Sequence, residues 1–320
     1  MPGMTTANSA ALTRSEIWSQ QLKDRLIDDL FATQYVNWLS DFPDGNAFTI
    51  PSIGAATVRD YVENDSIQYD AMDTGEFQFS ITEYTSSATY ITKKNLQDGF
   101  YMSQLVASFV PEQHRALMER VETDVLGLSG SQTVNANNAI NGFDHRYVGT
   151  GLNETMAPAD FARAKLSLKK ANVPMSNLVA IVDPTVAYAL ETSPNFINFS
   201  NNAKWEGIVA EGLTSGMRFI KNVYGFDVYE SNYLADANET ITASTTGAAA
   251  LTTAAGKANM FFSAESTVLP FVGAWRQMPE VESEYNKDRQ REEYITTSRY
   301  GVKLFRPENL VCVLTDTDQV

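Results

Sequence analysis

The chain has little of what catalysis, metal binding or membrane anchorage requires. Its 320 residues hold one cysteine and two histidines. Cys312 sits between valines in LVCVLTD, the setting of a buried, inert thiol. A lone cysteine closes no intramolecular disulfide, which fits a reducing compartment. His114 stands beside Gln113 and Arg115 and is expected to face solvent, whereas His145 follows Asp144 in a Gly/Asn/Ser-rich connector. Neither has the spacing of a shared metal site, and HExxH and paired cysteines are absent. No Walker loop and no GxGxxG occur. The nearest string to a serine-nucleophile elbow, GLSGS at 127–131, lacks its final glycine and lies where a helix C-cap glycine belongs. No segment approaches membrane length and no apolar signal region opens the chain. The expectation is a protein with no catalytic residues, no cofactor, no metal and no membrane.

Positive charge is scarce too. Lys and Arg number 24 against 39 Asp and Glu, a net charge of −15. Holding nucleic acid or anionic lipid by charge needs clustered cations, so direct, tight DNA or RNA binding is not expected. Acidity alone also keeps a protein soluble. The imbalance is sharpest over residues 60–91, which contain seven acids and no Lys or Arg. Asp60, Glu63, Asp65, Asp70 and Asp73 lack the spacing of a calcium-binding EF-hand loop, so they read as a solvated charged tip.

Strand-like runs flank that stretch: FTIPSIGAATV (48–58) and EFQFSITEY (76–84). In the second, Phe77, Phe79 and Ile81 alternate with Gln78, Ser80 and Thr82. The reading is a two-stranded arm with an acidic tip. An isolated hairpin is marginal in water because nothing covers its apolar face. Each large side chain gains roughly 1.5–3 kcal/mol on full burial. If the parent domain does not cover Phe77, Phe79 and Ile81, another copy of the chain must. Phe48, Ile50 and Tyr84 join them as candidate inter-subunit residues.

A hydrophobic content of 43% with 11% aromatics is ordinary for a chain with a real core, and the length suits one large or two modest domains. Residues 1–12 read as disordered. Thr13 to Glu16 has capping-box form, and helical spacing from Trp18 to Phe31 fades near Ser40. DFPDGN (41–46) is a turn. Helical spacing resumes from Leu96 to Phe109, is interrupted at Pro111, and continues through Leu117, Val121 and Val125. Pro111 predicts a break or kink in a spine of some thirty residues. Residues 129–151 read as a long connector, Pro158 opens a helix, and LVAIV (178–182) is a strand followed by a helix from Pro184. Residues 226–229 form another strand, and the Ala/Thr-rich stretch 235–259 reads as a surface loop or flap that has room for short strands. Strand-like runs close the chain at 268–272, 277–285, 292–305 and 310–314. Residues 280–293 mix both charge signs, as a solvated hairpin or a charge-complementary subunit contact would.

In this order the parts resemble the major capsid proteins of tailed bacteriophages, the Hong Kong 97-like fold. The resemblance is carried by the acidic arm (47–91), the spine (95–128), AKLSLKKANVPMSNLVAIVDPTVAYAL (164–190) with YGFDVYESNYL (224–234), and REEYITTSRYGVKLFRPENLVCVLTD (291–316). It implies an α+β fold with an N-terminal arm (1–41), an E-loop (42–94), a peripheral domain (95–130 and 262–320) and an axial domain (131–261) whose loop 235–259 is flexible. It also implies a major capsid protein rather than an enzyme. Copies would form hexamers and pentamers of an icosahedral head around double-stranded DNA, assembled in the host bacterial cytoplasm. The E-loop would lie on the neighbouring subunit, and a procapsid would expand with the arm and the Pro111 region moving. The family's type member cross-links its shell through an E-loop lysine, whereas no Lys occurs here between Lys23 and Lys93, so a non-covalent shell is expected. About a dozen residues precede the first expected helix, which points to a separate scaffolding protein. A portal protein is a further implied partner, and a decoration protein is admissible. DNA would be enclosed without tight or sequence-specific binding, net negative charge repelling it over a Debye length of roughly 8–10 Å. An encapsulin-like cellular shell shares the fold and is the first alternative; a hydrolase with no recognisable motif is the second.

Overall fold

The computed structural model describes residues 30–40, 47–53, 60, 63, 74–98, 102–130, 139–151, 154–192, 219–237 and 256–317. In chain order the elements are β1 (Val36–Leu39), β2 (Ala47–Ile53), β3 (Thr74–Ser80), β4 (Glu83–Thr92), α1 (Lys93–Asp98), α2 (Met102–Gly127), β5 (Ala139–Ile140), β6 (Phe143–Asp144), β7 (Arg146–Val148), α3 (Pro158–Lys170), β8 (Leu178–Val182), α4 (Pro184–Thr192), β9 (Phe219–Val223), β10 (Phe226–Glu230), β11 (Gly256–Ser263), β12 (Phe271–Asn286), β13 (Arg291–Leu304) and β14 (Val311–Asp316).

A mixed six-stranded sheet, β7-β14-β11-β8-β10-β9, carries the main core. Leu178, Ala180 and Val182 of β8 face one layer with Phe161, Ala164 and Leu168 of α3 and Val186 and Leu190 of α4. Val179 and Ile181 face the other, with Val121, Val125 and Leu126 of α2 and Met260 and Phe262 of β11. A strand buried on both faces has no polar positions to alternate, which is why LVAIV and LVCVL read as unbroken apolar runs. Cys312 is fully buried in the second layer, as its sequence setting implied. Pro158 opens α3, where its missing N–H costs nothing, and the Asp160 carboxylate accepts the N–H groups of Ala157 and Thr150 at 2.8 and 2.9 Å.

The second sheet, β1-β12-β13-β4, has α2 across its inner face. Thr296 donates to the Gln113 amide oxygen at 3.1 Å in a buried contact, and the Tyr300 hydroxyl bonds to Asp124. β2 and β3 pair only with each other among the described residues, Phe48 opposite Phe79 and Ile50 opposite Phe77.

Several sequence expectations are corrected. Residues 32–39 are not the end of a helix: a 3-10 turn (Ala32–Tyr35) leads into β1, whose aromatic and β-branched residues pair parallel with β12. Pro111 does not end the spine; α2 runs 26 residues through it, leaving the carbonyl of Ala107 without its usual helical donor. The expected capping box at Thr13 and the tip acids Asp65, Asp70 and Asp73 lie outside the described residues. The connector 129–151 is not all loop, since β7 is wholly buried at the sheet edge. β11, assigned in part to a loop, is a core strand, because its run KANMFFS is masked by the Ala/Thr-rich residues before it. Residues 271–286 form one strand rather than two, irregular in register between Trp275 and Glu280. Residues 256–316 contribute to both sheets, β11 and β14 to the six-stranded one and β12 and β13 to the other.

Candidate subunit-contact surfaces

The arm is anchored at its foot by its own chain. Phe79 and Ile81 are 1% and 6% exposed, packed with Val272 and Ala274 and flanked by Leu39, Phe77 and Phe305. Phe77 meets Phe305 edge-on at 4.9 Å, and the Lys303 ammonium donates to the Gln78 carbonyl oxygen at 2.8 Å. Gly301 makes the approach possible: a Cβ there would stand 2.7 Å from the Ser80 carbonyl oxygen and 3.0 Å from the Ile81 Cα. Of the two covers the sequence left open for this face, the parent domain and another copy, the parent domain supplies the one over Phe79 and Ile81. Val272, Ala274 and Leu39 would otherwise leave the outer face of the second sheet bare, and the arm's foot covers them. The sequence could not reveal this because the partners lie far away along the chain.

The alternation read over 76–84 also breaks. β3 ends at Ser80, and Glu83 starts a strand in the other sheet, so Tyr84 does not share a face with Phe77. Tyr84 pairs opposite Arg299 and is 66% exposed. Ile50 is half-buried, and the Phe48 side chain lies outside the described residues.

In β4 the odd-numbered residues are shielded on the α2 side, while Tyr84, Ser86, Ala88 and Tyr90 are exposed on the outer face. Tyr90 lies under the Arg291 guanidinium at 4.3 Å, and Arg291 also holds Glu293 at 2.6 Å. That hydrogen bond draws the Glu293 carboxyl below its ordinary range. At the arm's foot, Thr82, Tyr84, Arg276, Gln277 and Arg299 line an open groove of about 560 Å³. From Trp275 to Asn286, β12 has no partner on its outer edge among the described residues. That edge carries Pro279, which offers no N–H, and exposed Glu280, Glu282 and Glu284.

Where the chain enters its described part, Glu122 of α2 is fully buried. Its carboxylate accepts the N–H of Phe31 at 3.1 Å and of Ala32 at 3.0 and 2.9 Å. Burial pushes its pKa up, opposed by the hydrogen bonds from Ala32, Phe31 and Thr33. Sequence reasoning missed this contact; a lone Glu on the apolar side of a helical pattern was its only trace.

Among the described residues nothing resembles a reaction centre. His114 is exposed. His145 is fully buried, its Nδ1 3.1 Å from the Phe143 carbonyl oxygen, and desolvation lowers its pKa. Among the described residues no group of three or more His, Cys, Asp or Glu could hold a metal ion, and no helix is long and apolar enough to cross a membrane.

A family model described as phage capsid protein matches residues 75–313. No curated protein sequence matches the chain. Among solved structures, a chain from Mycobacterium phage Che8 is 20% identical over 94% of this chain and 96% of its own, with a TM-score of 0.67. The capsid of Cyanophage P-SCSP1u gives 16% identity, coverage of 93% and 91%, and a TM-score of 0.68. The Cyanophage Pam1 capsid gives 14% identity, coverage of 99% of both chains, and a TM-score of 0.69. At such identities the structural likeness speaks to the fold, and the family model speaks to the kind of protein.

Proposed function

The chain belongs to the phage capsid protein family, and from that premise we propose that its copies form the hexamers and pentamers of an icosahedral head that encloses double-stranded DNA and is held together without covalent cross-links. That it is a structural, non-enzymatic capsid protein of the Hong Kong 97-like α+β fold follows from the family and the fold. The finer reading is supported by the arm. Its β2–β3 ladder is fixed at the foot and pairs with no third strand among the described residues. A two-stranded ladder is marginal on its own, so its outer part calls for a second surface, and a neighbouring copy offers one through main-chain and side-chain contacts. In this reading Ile50, Phe77 and Tyr84, with Phe48, contribute to that contact, while Phe79 and Ile81 set the arm's root. Residues 1–41 act as N-terminal arm, 42–94 as E-loop, and the two sheets as the cores of the peripheral and axial parts. A scaffolding protein and a portal are the partners during assembly in the host cytoplasm, and the net charge of −15 lets the shell hold DNA loosely.

Electron microscopy of the purified chain tests the reading. Closed shells or capsomers are expected, with uniform closure when scaffolding protein is supplied; a small species at every concentration would overturn it. Denaturing electrophoresis of particles should give one monomer band, since no Lys lies between Lys23 and Lys93. A ladder of oligomers would refute the non-covalent shell.

A further inference from the structure

We propose that the outer face of α3, with Leu166 at its middle and Lys165, Lys169 and Lys170 around it, docks an acidic amphipathic helix of a separate polypeptide. The proposal goes beyond the shell reading and is tested without it.

The sequence singles out this segment by charge. Residues 161–182 hold Arg163, Lys165, Lys169 and Lys170 and no Asp or Glu, in a chain whose net charge is −15. The fold then sorts that charge onto one surface. At about 3.6 residues per turn, Phe161, Ala164, Ser167 and Leu168 face the core, while Ala162, Leu166, Lys169 and Lys170 face out. Leu166 is 45% exposed, a large apolar side chain in the middle of that outer arc. Lys165 and Lys169, one turn apart, flank it on one side and Lys170 on the other. Arg163 takes no part, since it holds Asp144 at 2.8 Å and lies over the Tyr147 ring at 3.9 Å. Lysines in the last turn of a helix also complement its dipole. That accounts for Lys169 and Lys170, but neither for Lys165 further back nor for the bare Leu166.

The neighbouring turn adds an aromatic to the same surface. Lys165 donates to the Tyr224 carbonyl oxygen at 2.7 Å, which sets the β9–β10 turn against α3. Tyr224 is 53% exposed and holds a φ of 51°, ahead of Gly225 at 91°. Asn or Gly ordinarily takes that position of a tight hairpin turn, and a bulky side chain there is uncommon. An exposed ring in a left-handed backbone position, next to an exposed leucine, completes an apolar surface with a cationic rim. Such a surface selects its occupant. An acidic helix with an apolar stripe matches it twice over, its carboxylates meeting the lysines and its stripe covering Leu166 and Tyr224. A nucleic-acid backbone would satisfy the lysines and leave Leu166 in water. Another copy brings the repulsion of a second chain at −15. On the long helix of such a copy, Glu119 and Asp124 are paired with Arg115 and Arg120, and Glu122 is buried.

Fluorescence anisotropy on the full-length, unassembled chain tests this with a synthetic helix that carries leucines in one stripe and glutamates on both flanks. Its binding should weaken about tenfold or more in K169E/K170E and about fivefold in L166A, and should fall as salt is raised. A scrambled peptide of the same composition should bind about tenfold more weakly than the helix, because its leucines form no stripe. Urea unfolding of each variant should match the wild type, since Leu166, Lys169 and Lys170 are all exposed. If K169E/K170E does not fold, K169Q/K170Q replaces it and should still weaken binding. The proposal is overturned if the helix fails to bind the wild type, if the variants bind it as the wild type does, or if the scrambled peptide binds equally. Tighter binding of duplex DNA than of the helix overturns it in favour of a nucleic acid. A loss of stability in L166A would make the chain's own segments the cover, and impaired shell formation by K169E/K170E with no other protein present would make a second copy the occupant; either result overturns it as well. Binding is read before assembly, so a wild type that forms no shells defeats the shell reading alone.

Discussion

Replacing Glu122 with alanine should unfasten the N-terminal strand from the body of the protein. The carboxylate caps the 3-10 turn at 32–35 from the far side of the chain, accepting the N–H groups of Phe31 and Ala32 at 2.9–3.1 Å. Ala32 is fully buried, so its N–H finds no water once the acceptor is gone. Each orphaned buried donor costs about 1–3 kcal/mol, and the two together cost about 2–6 kcal/mol. Removing a buried, desolvated charge offsets part of this, so a net loss of about 2–4 kcal/mol is expected for E122A. That is a large share of the roughly 5–15 kcal/mol that holds a domain together. E122Q keeps an acceptor oxygen and sheds the charge, so its loss should stay within about 1 kcal/mol. The two variants separate the hydrogen bonds from the charge. The pH dependence follows from the raised pKa: the folded state favours the protonated acid, so this group's contribution is full below the ordinary carboxylate range and is lost as pH rises through the raised value. Wild type should therefore gain on E122Q as the pH falls through that window. Urea unfolding of the unassembled chain, with hydrogen exchange at Phe31 and Ala32, reads both effects. An E122Q variant as unstable as E122A, or an E122A loss below about 1 kcal/mol, would refute the reasoning.

Gly301→Ala places a Cβ 2.7 Å from the Ser80 carbonyl oxygen, so the arm's foot must lift; a loss of about 1–3 kcal/mol and faster proteolysis between β3 and β4 are expected. Phe79→Ala should destabilise the unassembled chain by about 3–5 kcal/mol, because its cover is internal. Tyr84→Ala should leave monomer unfolding within about 0.5 kcal/mol and weaken assembly; the reverse pattern would reverse the roles assigned to these two residues. His145 is buried with a lowered pKa, so the unfolded chain takes up its proton first and stability should decline as pH drops below about 6.5. A His145→Asn variant that keeps the same acid midpoint would show that another group controls it.

The parts of the fold legible in the sequence were those built from neighbours along the chain. β8, β10, α3 and α4 came through because a five-residue apolar run, a proline at a helix start and a helical period are local signals. The β2–β3 pairing was readable for the same reason, from two strand-like runs around an acidic stretch. What failed was decided at a distance. Residues 32–39 look helical until β12 offers Phe271 to Ala274 as a parallel partner. Pro111 predicts a break or kink, and α2 continues unbroken through it against the two sheets. Phe79 and Ile81 looked stranded because Val272 and Ala274 were invisible as their cover. The grouping of Arg276 with Arg299 depends on the β12–β13 register, which the irregularity around Gln277 hides from any count of spacing.

The bare rim of β12 bears on how such a protein survives its own synthesis. A coat protein accumulates in many copies within a small volume, where any surface that adds subunits by simple translation would spin them into endless fibres. A proline and three glutamates along that rim make zippering unrewarding, so crowding drives the molecules towards the contacts that curve and finish.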